Sequence, residues 1–377
     1  MKKIAFITTI SFTMEKFVLD FAKYIASEDY EVTLICNYDK EFVEKLPEHI
    51  KFIPIKIKRG VDFNLLYNIY QFYKIFKKHQ FDLIQYCTTN ASFYGSIAGR
   101  FSKIKQRLYC QWGIYYVGSH GFKRIIFKFI EKMICLNSTV IQPDSNSNLE
   151  FSIQEKLYKR EKAYVILKGS SRGVNLKKFD ATLKDTYYID MRNKLHLMEY
   201  FIFGYVGRLN LDKGLKELFL AFKRIEQENM RLVVVGPNDN LQQLGDDLLV
   251  WVKNNPNILF LPETQNPQEY FAMFDVNVLP SYREGMPSAL LEALAMKSLT
   301  IATNINGIKD VIMDGYNGFL VESKDEVSLA KKMKEVYEQY QQLSVIKEQG
   351  HQFIKEYFDQ EKIFVELKKD RIDLLNK

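Results

Sequence analysis

The sequence predicts an α/β protein made of two doubly wound, parallel-sheet domains facing across a cleft. Three observations lead there. A chain of 377 residues exceeds one ordinary core, because domains average roughly 150 residues. Short β-rich runs alternate with helical patterns, as βαβ units do beneath a sheet covered on both faces. The alternation then stops and restarts, which places a junction near residues 155–165.

The elements follow in order. "KIAFITT" opens the first sheet, followed by the helical "MEKFVLDFAKYIASED" and the strand "EVTLICN". A basic stretch around "IKIKRG" precedes the helix "FNLLYNIYQFYKIFKKH" and the strand "FDLIQYC". "ASFYGSIAGRFSKI" reads as a helix, "RLYCQW" as a strand, "FKRIIFKFIEKMICL" as a helix and "STVIQP" as a strand. "DATLKDTYYIDMRNKLHLMEY" reads as a connector carrying one short helix. The second plan runs through the strands "YFIFGYVGRL", "MRLVVVGP", "NILFLPE" and "DVNVLPS", with helices between and after them. The last stretch, "FIKEYFDQEKIFVELKKDRIDLLNK", has helical apolar spacing but follows the end of that plan. The expected organisation is a first domain over 1–162, a second over 163–352, and a helix over 353–377 that crosses back to the first.

Composition narrows the class. With 47% hydrophobic residues and 9 prolines the chain is globular rather than disordered. No run approaches the ~18 apolar residues that span a bilayer. "MKKIAFITTISF" is followed directly by Glu15, Lys16 and Asp20, so it reads as a strand and the expected location is cytoplasmic. Cys36, Cys87, Cys110 and Cys135 lack C-x-x-C spacing and the five histidines are dispersed, so buried thiols and no metal site are expected. A net charge of +7 favours an anionic partner. The first turn, "TTISFTMEK", has no glycine, which argues against a dinucleotide fold, and no G-x-x-x-x-G-K-[ST] occurs.

In open parallel sheets ligands bind beyond the carboxyl ends of the strands. After the strand ending at Val206 comes "GRLNLDKG", where Gly207 lets the backbone turn and Arg208 and Lys213 can aim two cations at one anion, a diphosphate being the natural target. An isolated R-x4-K is as easily a solvated turn; its place after a strand reverses that. "DVNVLPSYREGMPSALLEALAM" is strand, turn and helix, with Pro287 suited to the first helical position. Glu284 falls in the turn and Glu292 about a turn and a half into the helix, whose free amino-terminal N–H groups suit an anion. One carboxylate can accept from sugar hydroxyls and the other from a ribose diol.

"GVNLKKF", "GYVGRLNLDKG", "VVVGP", "DVNVLPSYREGMPSALLEALAM" and "GIKDVIMDGYNGFLV" together resemble the second half of retaining glycosyltransferases of the GT-B fold, family 4 (group 1), over residues 164–322. The first half agrees in layout only. The resemblance implies two Rossmann-like domains, the first binding acceptor and the second a nucleotide sugar. It implies that Arg208 and Lys213 bind the diphosphate and offset leaving-group charge without a metal, consistent with the absence of Asp-x-Asp. Glu284 then contacts the donor sugar, Glu292 the ribose, and Gly207, Gly285, Met286, Pro287 and Ser288 line the donor pocket. The implied enzyme is a metal-independent, anomer-retaining hexosyltransferase without cofactor. It would move a hexose or N-acetylhexosamine from a UDP-sugar to a glycan or polyprenyl-diphosphate-linked acceptor in capsule, O-antigen or lipopolysaccharide assembly. Two alternatives on the same fold are a UDP-sugar 2-epimerase and a non-catalytic nucleotide-sugar binder.

One departure stands out. Many members carry His-Gly at the end of the fourth or so N-terminal strand; here Trp112 and Gly113 stand there, with His120-Gly121 eight positions on. Trp112 is a candidate to stack on a sugar, or an ordinary core tryptophan. Lys123, Arg124, Lys128 and Lys132 in one amphipathic helix, with Lys56, Lys58 and Arg59 upstream, suggest a peripheral site on the anionic inner face of the membrane. The alternative is a core-packed helix with a solvated basic edge. Nucleic acid is not an expected partner.

Overall fold

The computed structural model describes residues 1–26, 30–58, 60 and 64–377. Arg59, from the basic run, lies outside them. The chain forms two compact units, residues 1–172 with 361–377, and residues 173–360.

The first unit holds β1 (Lys3–Ile7), α1 (Ser11–Phe17), α2 (Leu19–Ala26), β2 (Glu31–Cys36), α3 (Lys40–Glu44), β3 (Lys51–Pro54) and α4 (Leu65–His79). It continues with β4 (Leu83–Tyr86), α5 (Thr89–Phe101), β5 (Gln106–Gln111), α6 (Gly121–Asn137), β6 (Val140–Pro143) and α7 (Asn146–Gln154). Its six strands lie in the order β3-β2-β1-β4-β5-β6, every pair parallel. Ile4 to Ile7 are fully buried, as a central strand covered by helices on both faces requires. All four cysteines are buried and free. The first helical run is broken at Val18, whose φ of −121° and ψ of −38° leave the α region. The strand β3 was not expected, because "KFIP" is too short for its alternation to be distinguished from a loop.

The second unit holds α8 (Lys184–Lys194), β7 (Phe201–Val206), α9 (Leu215–Ile225), β8 (Met230–Val235), α10 (Asp246–Asn254), β9 (Ile258–Leu261), α11 (Pro267–Met273) and β10 (Val276–Leu279). Then come α12 (Ser288–Ala295), β11 (Leu299–Thr303), β12 (Phe319–Val321), α13 (Glu326–Gln339) and α14 (Ser344–Tyr357), after which α15 (Gln360–Asn376) returns to the first unit. Its sheet runs β12-β11-β10-β7-β8-β9, again parallel throughout. The order reverses direction between β7 and β10, which makes the space beyond their carboxyl ends the topological switch point. Helix α9 shows how locally the elements are encoded: Leu215, Leu218, Phe219 and Phe222, at helical spacing, are its fully buried stripe.

Two boundaries differ from the sequence reading. The first unit runs on to Arg172, because Ala163 bridges to Ile141 and the amide of Ser170 donates to Asp144 O at 2.8 Å. The final stretch breaks at Phe358 and Asp359, where Asp359 bridges to Val174, so α14 stays with the second unit and only α15 joins the first. There Phe364 meets Phe21 with ring centroids 5.4 Å apart. Arg371, fully buried, donates to Gln85 Oε1 at 3.0 Å and pairs with Asp370, which accepts from Gln142 at 2.8 Å. The stretch read as a connector is also more than that. Arg192 on α8 is buried and donates to Met273 O at 2.9 Å, Tyr200 O at 2.9 Å and Asp275 Oδ2 at 2.6 Å, which fastens α8 to the sheet.

Candidate functional site

The loops after β7 and β10 meet at the switch point of the second sheet. Gly214 closes the first loop in the left-handed region at φ +71°, and a Cβ there would stand 1.9 Å from Pro280 O. Only glycine lets the two backbones come this close. The amide of Tyr282 donates to Asp212 O at 2.9 Å, and Arg283 Nη2 reaches Asp212 Oδ2 at 2.7 Å. Tyr282 OH donates to Glu217 Oε2, on α9, at 2.5 Å. Burial and the Glu217 carboxylate hold that phenol well above its ordinary range. On the far side Gly307, at φ +83°, backs the turn, since a Cβ there would lie 1.6 Å from Gly285 O. Thr303 Oγ1 donates to Ser281 O at 2.6 Å.

This frame brings Lys213 to Glu284. Lys213 Nζ lies 2.6 Å from Glu284 Oε1, the two side chains being 20% and 10% exposed. Such a largely desolvated, hydrogen-bonded charge pair is stronger than a surface one. Arg208 is placed differently. Its Nη1 lies 3.3 Å from Asp239 Oδ2, and more than half of its side chain is open to solvent. A pair of that kind holds little energy, so the guanidinium is easily redirected. Gly207 donates to Val235 O at 2.9 Å, and a Cβ on it would press 2.7 Å from Tyr205 OH, which itself donates to Arg208 O at 2.8 Å.

Glu284, Gly285 and Met286 are half-buried in the turn, and Ser288 begins α12. Pro287 is the N-cap rather than the first helical residue: its ψ of 113° is extended, and its carbonyl accepts from Leu290 at 3.1 Å. A proline cap has no side-chain oxygen for the first-turn amides, so the amino end of α12 is open to an anion. Glu292 lies half-buried one turn further along the same helix. Among the described residues no three His, Cys, Asp or Glu side chains gather as a metal-binding group.

In the first unit Trp112 and Gly113 follow β5, the fifth strand rather than the fourth. Gly113 turns the chain at φ +79°. Trp112 is half-buried, its ring 5.7 Å from that of Phe17, over which the Arg172 guanidinium sits at 5.4 Å. Trp112 borders a small cavity with Phe17, Gln85, Cys110, Gln142 and Arg371. His120 is exposed at the start of α6 and does not take the tryptophan's place. Just before Trp112, Gln111 is held from both ends. Its Nε2 donates to Glu131 at 2.6 Å, and its Oε1 accepts from Ser152 at 3.1 Å and Tyr158 at 2.9 Å.

Sequence reasoning missed Asp212, Tyr282, Glu217 and Gly307. Each acts on a residue of a different loop, so no spacing within one motif could mark it. The quoted "GIKDVIMDGYNGFLV" contains Gly307 but gives no sign that it touches Gly285.

Comparison with known proteins adds the following. Residues 189–353 match the family described as glycosyl transferases group 1, and residues 3–145 match glycosyl transferase 4-like. The capsular polysaccharide biosynthesis glycosyltransferase CapM of Staphylococcus aureus is 26% identical over 347 residues, covering 92% of this chain and 90% of that protein. An Escherichia coli UDP-Gal:alpha-D-GlcNAc-diphosphoundecaprenol alpha-1,3-galactosyltransferase is 24% identical over 310 residues, covering 80% and 78%. The crystal structure of Anabaena HepE with UDP and glucose superposes with a TM-score of 0.83 at 18% identity, covering 99% of this chain and 100% of that one. At that identity the likeness is one of fold.

Proposed function

Residues 189–353 belong to the group 1 glycosyl transferases and residues 3–145 to the glycosyl transferase 4-like domains, so this chain is a glycosyltransferase of the GT-B fold; from that premise we propose that it moves a hexose or N-acetylhexosamine from a UDP-sugar to a polyprenyl-diphosphate-linked glycan during bacterial surface polysaccharide assembly. The observation that carries the reading is the Lys213–Glu284 pair, set between interlocked loops beside the open amino end of α12. UDP as donor nucleotide is supported by HepE, which was crystallised with it, and by the E. coli relative, named for a UDP-Gal donor and a diphosphoundecaprenol acceptor.

The chemistry follows from the charges. A diphosphate arriving at Lys213 competes with Glu284 for the ammonium. As the anion takes it, Glu284 is released to accept hydrogen bonds from the transferred sugar, while Arg208 leaves its weak surface partner for the same diphosphate. The amides of Ser288 and its neighbours face the phosphate, and Glu292 takes the ribose. When the bond from the sugar C1 to the phosphate oxygen breaks, these groups stabilise the charge left on the diphosphate. The acceptor hydroxyl attacks C1 on the same face and gives its proton to the departing phosphate, so configuration is retained. Trp112, at the end of β5, offers its ring to the acceptor.

The test is a panel of labelled UDP- and GDP-sugars, with and without a polyprenyl-diphosphate-linked acceptor. The expected result is acceptor-dependent transfer with the donor's anomeric configuration kept, at a rate EDTA leaves unchanged. An epimerised nucleotide sugar would identify a 2-epimerase instead, and binding without turnover a nucleotide-sugar binder. Loss of rate in EDTA restored by magnesium would reject the metal-free account.

A further inference from the structure

The sequence leaves two alternatives for α6, an amphipathic helix on an anionic membrane surface or a core-packed helix with a solvated basic edge. The structure redistributes its side chains. Arg124 and Lys128 turn toward Glu155, at 3.8 and 2.7 Å, and lie over the ring of Tyr116. Ile134 and Cys135 enter the core. In the amino-terminal half the apolar stripe points outward instead. Phe122 is 75% exposed and Phe129 61%, with Ile125 and Ile126 exposed between them at helical spacing. A second strip opens on α4, where Leu66 is 79% exposed and Tyr67 and Tyr70 are also open. Clustered exposed apolar residues of this kind mark an interaction surface, because leaving them in water is unfavourable.

The two strips border one helical layer. Helix α5 packs against both α4 and α6, and Phe76, Ala98 and Ile134, one from each helix, share a core. Both strips lie in the amino-terminal part of helices that follow β3 and β5, hence toward the carboxyl edge of the sheet, where Trp112 stands. The charge of this layer is one-sided. Helices α4, α5 and α6 together contain one carboxylate, Glu131, and it is buried. Around the strips Lys56, Lys58, Lys123 and Lys132 are exposed.

Apolar insertion flanked by lysines, with no outward carboxylate on these three helices, is what an anionic bilayer surface accommodates. A second copy on this face would set lysine against lysine, since a two-fold contact pairs like patches. We infer that this corner of the first unit docks on an anionic lipid bilayer, with the α6 stripe and Leu66 and Tyr67 of α4 entering the interface and the lysines facing headgroups. Among the described residues no helix is long and apolar enough to cross a membrane. The docking does not rest on the transfer reaction, and the assay contains neither donor nor acceptor.

The experiment is co-sedimentation of the full chain with vesicles of phosphatidylcholine alone or mixed with phosphatidylglycerol, at low and high salt. The wild type is expected to bind the mixed vesicles, less at high salt but not to zero. Phe122→Ser/Phe129→Ser should lower binding by about tenfold or more at either salt. Lys123→Ala/Lys132→Ala should lower it several-fold at low salt only. All four positions are exposed, and an unchanged thermal transition verifies folding. Wild-type binding by the phenylalanine variant overturns the inference, as does equal binding to pure phosphatidylcholine. Self-association in free solution that Phe122→Ser abolishes would give the face to a second copy.

Discussion

Lys213 and Glu284 are 71 positions apart in the chain and in hydrogen-bond contact at 2.6 Å, and their pairing makes the two residues chemically opposed before they cooperate. Removing the carboxylate removes the internal competitor for the ammonium. Glu284→Gln is therefore expected to bind UDP alone several-fold more tightly, by titration calorimetry, while transfer falls by roughly 100-fold. Lys213→Ala should lose both UDP affinity and transfer, the latter again by about 100-fold or more. Weaker UDP binding by Glu284→Gln would reject the exchange of partners. Glu131 poses a different problem. It is buried, and burial pushes its carboxyl up to about 7, although hydrogen bonds from Gln111 and Tyr109 favour the ionised form. The folded state keeps this proton up to about pH 7 while the unfolded chain releases it near 4.5. More protons are then bound in the native state across that window, so stability falls as pH rises through it. Glu131→Gln cannot ionise, and at pH 8 it should exceed the wild type by roughly 1–3 kcal/mol, a margin that disappears toward pH 4.5. Urea denaturation at the two pH values checks this.

At the scale of elements, the site is two loops held by glycines that contact the other loop's backbone. Gly307 at φ +83° combines a left-handed backbone with a Cβ position 1.6 Å from Gly285 O, whereas Gly315 at φ +73° has nothing within 4 Å. Gly315→Ala is expected to cost about 1 kcal/mol of stability from backbone strain alone, with donor affinity unchanged. Gly307→Ala should in addition displace the Glu284–Pro287 turn and weaken donor binding at least tenfold, measured by calorimetry. Equal affinity in the two variants would show that Gly307 does not set the turn. The loops themselves were legible: "GRLNLDKG" and "SYREGMPSALLEALAM" carry the glycine and proline of a turn between a strand and a helix. Their interlock was not. Nothing near Gly214 announces Pro280, and nothing near Arg208 announces that Asp239 rather than Lys213's partner receives it. The same holds for β11 and β12, whose short apolar runs become recognisable as strands only once β10 lies beside them.

The whole molecule consists of two units, each with its own sheet, and α15 returns to the first. Arg371 on α15 is buried in a charge pair with Asp370 and a bond to Gln85. Deleting one partner of a buried pair strands the other, so Arg371→Ala should destabilise the first unit by roughly 3 kcal/mol. The second unit should be unaffected. The two tryptophans separate the readouts, Trp112 reporting the first unit and Trp251 the second, so a Trp251→Phe background isolates the affected transition. An equal loss reported by Trp251 in a Trp112→Phe background would mean that the units unfold as one. Period and punctuation are short-range properties, which is why the α/β plan, its duplication and the placing of Gly207, Lys213, Glu284 and Glu292 near strand ends could be read from the chain alone. Which face of an amphipathic helix is covered, which cation meets which carboxylate, and whether Glu131 is wet or dry depend on residues tens to hundreds of positions away. The outward stripe of α6 and the Lys213–Glu284 pair belong to this second kind, because burial and charge pairing are set by neighbours in space.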